Sequence, residues 1–97
     1  MRITDVKIRK LGEDLLKAVA SITIEDCFVV HDIKIISTEK GLIVSMPNKK
    51  GSDGKYRDIA HPINKKARKL IEKAVIRQFE QLLVADTMQE VATSEEK

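Results

Sequence analysis

Three kinds of residue in this chain could carry chemistry, and they lie in separate stretches. His31 and Asp32 adjoin in an apolar run, and Arg57, Asp58 and His61 stand close together in RDIAHP. Histidine and aspartate are the usual carriers of protons between reacting groups. Adjacent residues of a strand point to opposite faces, however, so His31 and Asp32 cannot serve one another, and a structural role for His31 is the better reading. Cys27 has no neighbour that would lower its thiol pKa and reads as a small semi-buried residue. One cysteine permits no internal disulfide and no multi-cysteine metal site. With two histidines and no phosphate-cradling glycine signature, the sequence offers no metal, triad or nucleotide site, and no cofactor is expected.

The third kind is cationic. From Lys49 to Arg77 there are ten Lys or Arg against Asp53, Asp58 and Glu72, a local charge of +7. Residues 1–48 carry seven of each sign and cancel, and after Arg77 five acids face only Lys97, a local charge of −4. A concentrated positive field of this kind steers and holds phosphates in a salt-dependent way. Lys49, Lys50, Lys55 and Arg57 project from a segment whose centre, Gly51 to Gly54, is made of turn formers. Lys65, Lys66, Arg68 and Lys69 follow at the start of a helical pattern. They oppose the helix macrodipole, and Lys65/Lys69 and Lys69/Lys73 are like-charge pairs at i,i+4. A phosphate near the helix start would relieve that repulsion.

These cations need a frame. Strands are expected at Ile3 to Arg9, Leu16 to Ile24, Phe28 to Ile36 and Leu42 to Met46, with a short extended segment at Tyr56 to Ile59. In the first, Thr4, Val6 and Ile8 share a face; in the second, Leu16, Ala18, Ala20, Ile22 and Ile24 do. In the third, strict alternation puts Val29, His31, Ile33 and Ile35 on one side, with apolar residues on the other side too. That two-sided apolarity implies a central strand or one covered by a partner subunit. Glu25 and Asp26 form a tight hairpin connection, and Lys40 and Gly41 another. Asn64 is placed to cap a helix from Lys65 to about Ala85, whose apolar stripe includes Ala67, Leu70, Ile71, Ala74, Val75, Phe79, Leu82 and Leu83. The reading is one α+β domain at residues 1–85, a small antiparallel sheet of four or five strands packed by one long C-terminal helix, with an acidic, flexible tail at 86–97. The N-terminus lacks a secretion pattern and no apolar run spans a bilayer, so a cytoplasmic protein without membrane insertion is expected.

The segments FVVHDIKII, GLIVSMPNKK and DGKYRDIAHPIN closely resemble the SpoVG family of small bacterial regulators, over Met1 to about Phe79. The resemblance implies a β-sheet packed by a C-terminal helix, a homodimer, and cytoplasmic binding of DNA and RNA, linked with septation, sporulation and gene regulation. It also implies basic residues of loop and helix as the binding set, which match Lys49, Lys50, Arg57, Lys65, Lys66, Arg68 and Lys69, with Lys55 particular to this chain. Around the tip the sequence departs from the family pattern: Asn48 stands for a common serine, Gly51 and Ser52 for a frequent threonine-proline pair, and Lys55 for a common glutamate. The competing readings are an adaptor whose basic surface docks an acidic protein, and a small enzyme using His31 or His61, ranked last.

Overall fold

The computed structural model describes residues 1–95, with side chains described as far as Ala85. Strands β1 (Ile3–Lys10), β2 (Leu16–Ile24), β3 (Phe28–Thr38) and β4 (Gly41–Ser45) form one antiparallel sheet in the order β1-β2-β3-β4. A separate two-stranded ribbon, β5 (Asn48–Lys50) and β6 (Tyr56–Asp58), precedes the single helix α1 (Lys65–Glu95). This is the expected α+β arrangement, with the basic segment folded as its own ribbon. None of the described helix is long and apolar enough to cross a membrane.

Alternation builds the sheet. Ala18, Ala20 and Ile22 of β2 are buried beside Ile33 and Ile35 of β3 and Val44 of β4, while Val6 and Ile8 of β1 pack against them. The helix covers this face with Ile71, Val75 and Phe79. Among the described residues the core contains no buried polar or charged group, so its cohesion comes from apolar burial. Leu70 and Leu83, expected in the buried stripe, lie outside it and are exposed.

Register shifts also occur near the starts of β1 and β2, but the one with most effect on the expected faces lies in β3. Ala20 pairs with Ile33 but Ile22 pairs with Val30, a register shift that sets two residues of β3 against the single Ser21. Asp32 takes a left-handed backbone there, with φ of 62°. This is a β-bulge, and it resets the phase of the strand. Ile33 and Ile35 keep the core positions expected of them, whereas Val29 and His31 are exposed and Val30 packs against the core instead. His31 accordingly lies outside, its Nδ1 2.8 Å from Ser21 Oγ.

The β2–β3 connection is the tight turn that Glu25 and Asp26 signal, both with positive φ (53° and 56°), as a hairpin turn of the primed type requires. The start of β1 braces it: Glu25 Oε1 accepts from the Arg2 amide at 2.8 Å, and Thr4 Oγ1 accepts from the Asp26 amide at 3.0 Å. At the other end of the chain, the helix does not stop near Ala85. It continues to Glu95, because Asp86 to Glu95 contain neither Gly nor Pro and keep helix-forming residues although the apolar ones thin out. The expected boundary between a domain at 1–85 and a tail at 86–97 is therefore not a helix end, and the last residues of that tail, Glu96 and Lys97, lie outside the described residues.

Candidate nucleic-acid interface

The ribbon is short, fully exposed on β6, and organised around one acid. Its register sets Asn48 opposite Asp58, Lys49 opposite Arg57 and Lys50 opposite Tyr56. Two cations directly opposite one another repel. Asp53 at the turn offsets this: Arg57 donates from Nη2 to Oδ2 at 2.7 Å and from Nη1 to Oδ1 at 3.2 Å, and the Lys55 amide donates to Oδ1 at 3.1 Å. The Arg57 guanidinium, and then the Lys55 amide, hold the Asp53 carboxyl below its usual range. Asp53, which reaches back across the turn, is thus the acid that pairs with Arg57, whereas the adjacent Asp58 points to the opposite face of β6.

Glycines let the turn close. Gly54 has φ of 82° and donates to the Gly51 carbonyl at 3.0 Å, and the Gly51 amide donates to the Lys55 carbonyl at 2.8 Å. A Cβ at Gly51 would stand 2.7 Å from Arg57 Nη1 and 2.9 Å from Asp53 Oδ1. The ion pair occupies the space that any larger residue there would claim.

The ribbon is tethered at both ends to the frame. The Ile59 amide donates to the Pro47 carbonyl at 2.7 Å, and Asn48 Nδ2 to the Met46 carbonyl at 3.1 Å; Met46 and Pro47 are both buried. From Asp58 the chain reaches Lys65 in seven residues, so the ribbon and the helix start stand at most about 25 Å apart. Asn64 caps the helix as expected, its Oδ1 accepting from the Ala67 amide at 2.7 Å. His61 lines a narrow apolar cavity of about 140 Å³ between the sheet and α1, and its Nδ1 lies 3.1 Å from the Pro62 carbonyl. That contact ties the ring to the neighbouring backbone, while Arg57 is held by Asp53.

All eight expected contact residues, Lys49, Lys50, Lys55, Arg57, Lys65, Lys66, Arg68 and Lys69, are exposed. Of these, Arg57 alone is in an ion pair among the described residues. No acid stands in the first turn of α1 to offset its cations. Three apolar side chains interrupt this basic surface: Tyr56 and Ile59 are each 69% exposed and Ile63 is 89% exposed. Ile59 and Ile63 follow no periodicity that would mark them. Among the described residues, no cluster of His, Cys, Asp or Glu could hold a metal ion.

A four-stranded sheet under one long helix, with a tethered basic ribbon at the helix entry, defines a small α+β protein built to present cations. The SpoVG family model matches residues 1–81, and the chain belongs to that family. It is 57% identical over 81 residues to a protein of Lachnospira eligens, covering 82% of this chain and 92% of the relative. A relative in Caldicellulosiruptor bescii is 49% identical over 86 residues (88% and 98% of the two chains), and one in Phytoplasma australiense 50% identical over 84 residues (86% and 88%). Each carries the name "Putative septation protein SpoVG".

Proposed function

We propose that this protein is a cytoplasmic regulator, linked to septation as its relatives' names indicate, that binds DNA and RNA through the β5–β6 ribbon and the first turns of α1. The observation that carries this reading is the ribbon itself, in which Lys49 and Arg57 share one side, Lys50 and Lys55 flank them, and only Asp53 and Asp58 stand against these four cations. Such a ribbon is costly for the isolated protein and is relieved by phosphates, which accept from lysine as point charges and from arginine through its fork. Three aromatics in the whole chain make base stacking a minor term, so affinity rests on the phosphate backbone and sequence choice on spacing or nucleic-acid shape.

The unit that binds is a homodimer formed through the sheet. Strand β4 is an edge of the sheet, and Leu42 and Ile43 on it are exposed, as are Phe28 and Val29 on β3. Unpaired edges and uncovered apolar side chains are what a second subunit covers. Fluorescence anisotropy of labelled duplex DNA and single-stranded RNA across a salt series tests the reading. Log affinity is expected to fall linearly with log salt, with a slope of about −0.9 per neutralised duplex phosphate. A folded protein that binds neither polymer at low salt would rule it out.

One observation favours a second reading. Tyr56, Ile59 and Ile63 place apolar surface among the cations, which suits an acidic protein partner better than a phosphate chain. In that case the protein is a septation-associated adaptor, and its binding to nucleic acid would be weak and show a shallow salt slope.

A further inference from the structure

The face of the sheet turned away from α1 carries charge where the other carries core. On β1, Val6 and Ile8 pack inward, whereas Lys7 and Arg9 are exposed. The register sets Lys7 opposite Ser21 and Arg9 opposite Val19, with Lys34 on the far side of Val19. A shallow groove of about 310 Å³ runs over these rows, and its walls include Lys7, Arg9, Val19, Ser21, His31 and Asp32. All of them belong to β1, β2 or β3, so the groove is separate from the ribbon and from the helix start. Lys7 and Arg9 stand on the edge strand opposite β4, and a second subunit docked along β4 would leave that side of the groove open.

His31 reaches this face only because of the bulge. A regular strand that buried Ile33 would turn His31 to the core beside it, and the extra residue set against Ser21 turns the ring outward instead. The left-handed backbone at Asp32 is costly for a residue with a Cβ, and such a cost at one point of a sheet is a pointer to function. The result is a Ser21–His31 pair, Oγ to Nδ1 at 2.8 Å. In either neutral tautomer the pair keeps one hydrogen to give outward: from Nε2 when Ser21 donates to Nδ1, and from Oγ when Nδ1 donates to Ser21. Among the described residues Nε2 has no partner, and neither Lys7 nor Arg9 is in an ion pair. Alternation puts Asp5, Lys7 and Arg9 of β1, Lys17 of β2, and Asp32 and Lys34 of β3 on this face, so four cations stand against two acids.

We infer that this groove binds a phosphate group, free or at the end of a small ester, independently of the nucleic-acid surface. Lys7 and Arg9 supply the charge, the arginine through a fork that fits two phosphate oxygens. The Ser21–His31 pair gives its outward hydrogen to a third oxygen. Asp32 does not suit the phosphate itself; it accepts from a hydroxyl of the esterified group, whose apolar part rests on Val19. The volume stands at the lower end for small-molecule sites, which fits a ligand of this size.

NMR titration of the isotope-labelled full chain tests this, with inorganic phosphate in one arm and adenosine monophosphate in the other, at ionic strength held constant with sodium chloride. Saturable shifts are expected at Lys7, Arg9, Ser21, His31 and Asp32. Lys7→Gln, Arg9→Gln and His31→Ala, all at exposed positions, should each weaken binding about tenfold. Lys40→Gln, the same loss of charge at the exposed β3–β4 turn, should leave it unchanged. Affinity for inorganic phosphate equal to or above that for the monophosphate assigns free phosphate as the ligand, and tighter binding of the monophosphate assigns an ester; either bears out the site. Shifts that grow without saturating, or an equal loss in Lys40→Gln, would reduce the groove to general charge and overturn the inference. Shifts confined to the ribbon and the helix start would overturn it too, because the phosphate would then belong to the nucleic-acid surface.

Discussion

The four-stranded sheet and the β5–β6 ribbon are both antiparallel, yet they are held by opposite means. In the sheet, alternate side chains are buried under α1 and, among the described residues, no polar group is buried with them. In the ribbon, strands of three residues each bury almost nothing, and order comes from a turn, one ion pair and two tethers to the frame. Isolated two-stranded ribbons are marginal in water, so this one is ordered by its attachment. The difference teaches where each property resides: stability in the sheet and helix, and contact with a charged partner in an element that contributes little to stability and can therefore carry like charges.

The comparison is broken most severely from the sheet side. Ile33→Ala, at a fully buried position, should cost about 2–5 kcal/mol in urea unfolding and weaken binding only as the folded population falls. The converse is the change of Lys49, Lys50, Lys55 and Arg57 together to Ala, which should leave urea stability within about 0.5 kcal/mol while lowering nucleic-acid affinity tenfold or more and flattening its salt dependence. A large loss of stability there would show that the ribbon is part of the core after all. At the junction of the two regions, Asn64→Ala removes the helix cap and should cost about 1 kcal/mol by the same measurement.

The smallest effect sharpens the comparison within the ribbon. Because the folded state lowers the Asp53 carboxyl, its contribution is present above the unfolded carboxylate range and is lost as pH falls through the lowered folded value. Acid should therefore release Arg57 with little change in global stability, as the pair is solvent-exposed. An NMR titration of the Asp53 carboxyl, compared with Arg57→Ala, checks this: the midpoint should move up toward the ordinary value in the variant.

Much of the frame could be read from residue order, and the failures have particular causes. Val6 and Ile8 of β1 and Ala18, Ala20 and Ile22 of β2 keep their alternation despite a register shift near the start of each strand, so their core faces were legible, and Asn64 before a run of helix formers marked the helix start. In β3 the bulge at His31–Asp32 shifts the phase with no glycine or asparagine to announce it, which is why Val29 and His31 were assigned to the wrong side. The helix end was missed because apolar spacing fades before helix propensity does. In the ribbon, turn glycines and cations were plain, but the pairing of Asp53 with Arg57 depends on how the chain reverses between them, and the strand at Asn48–Lys50 has no apolar alternation to reveal it.

The bulge has a consequence for how the chain finds its fold. A regular β2–β3 hairpin of alternating aliphatic residues could slide by two positions and still bury apolar side chains, a near-miss that costs little. With two residues set against Ser21 and a left-handed backbone at Asp32, the strands meet like a key in its keyway: only one alignment accommodates the extra residue. The irregularity that misleads a reader of the sequence thus removes the competing alignments for the protein.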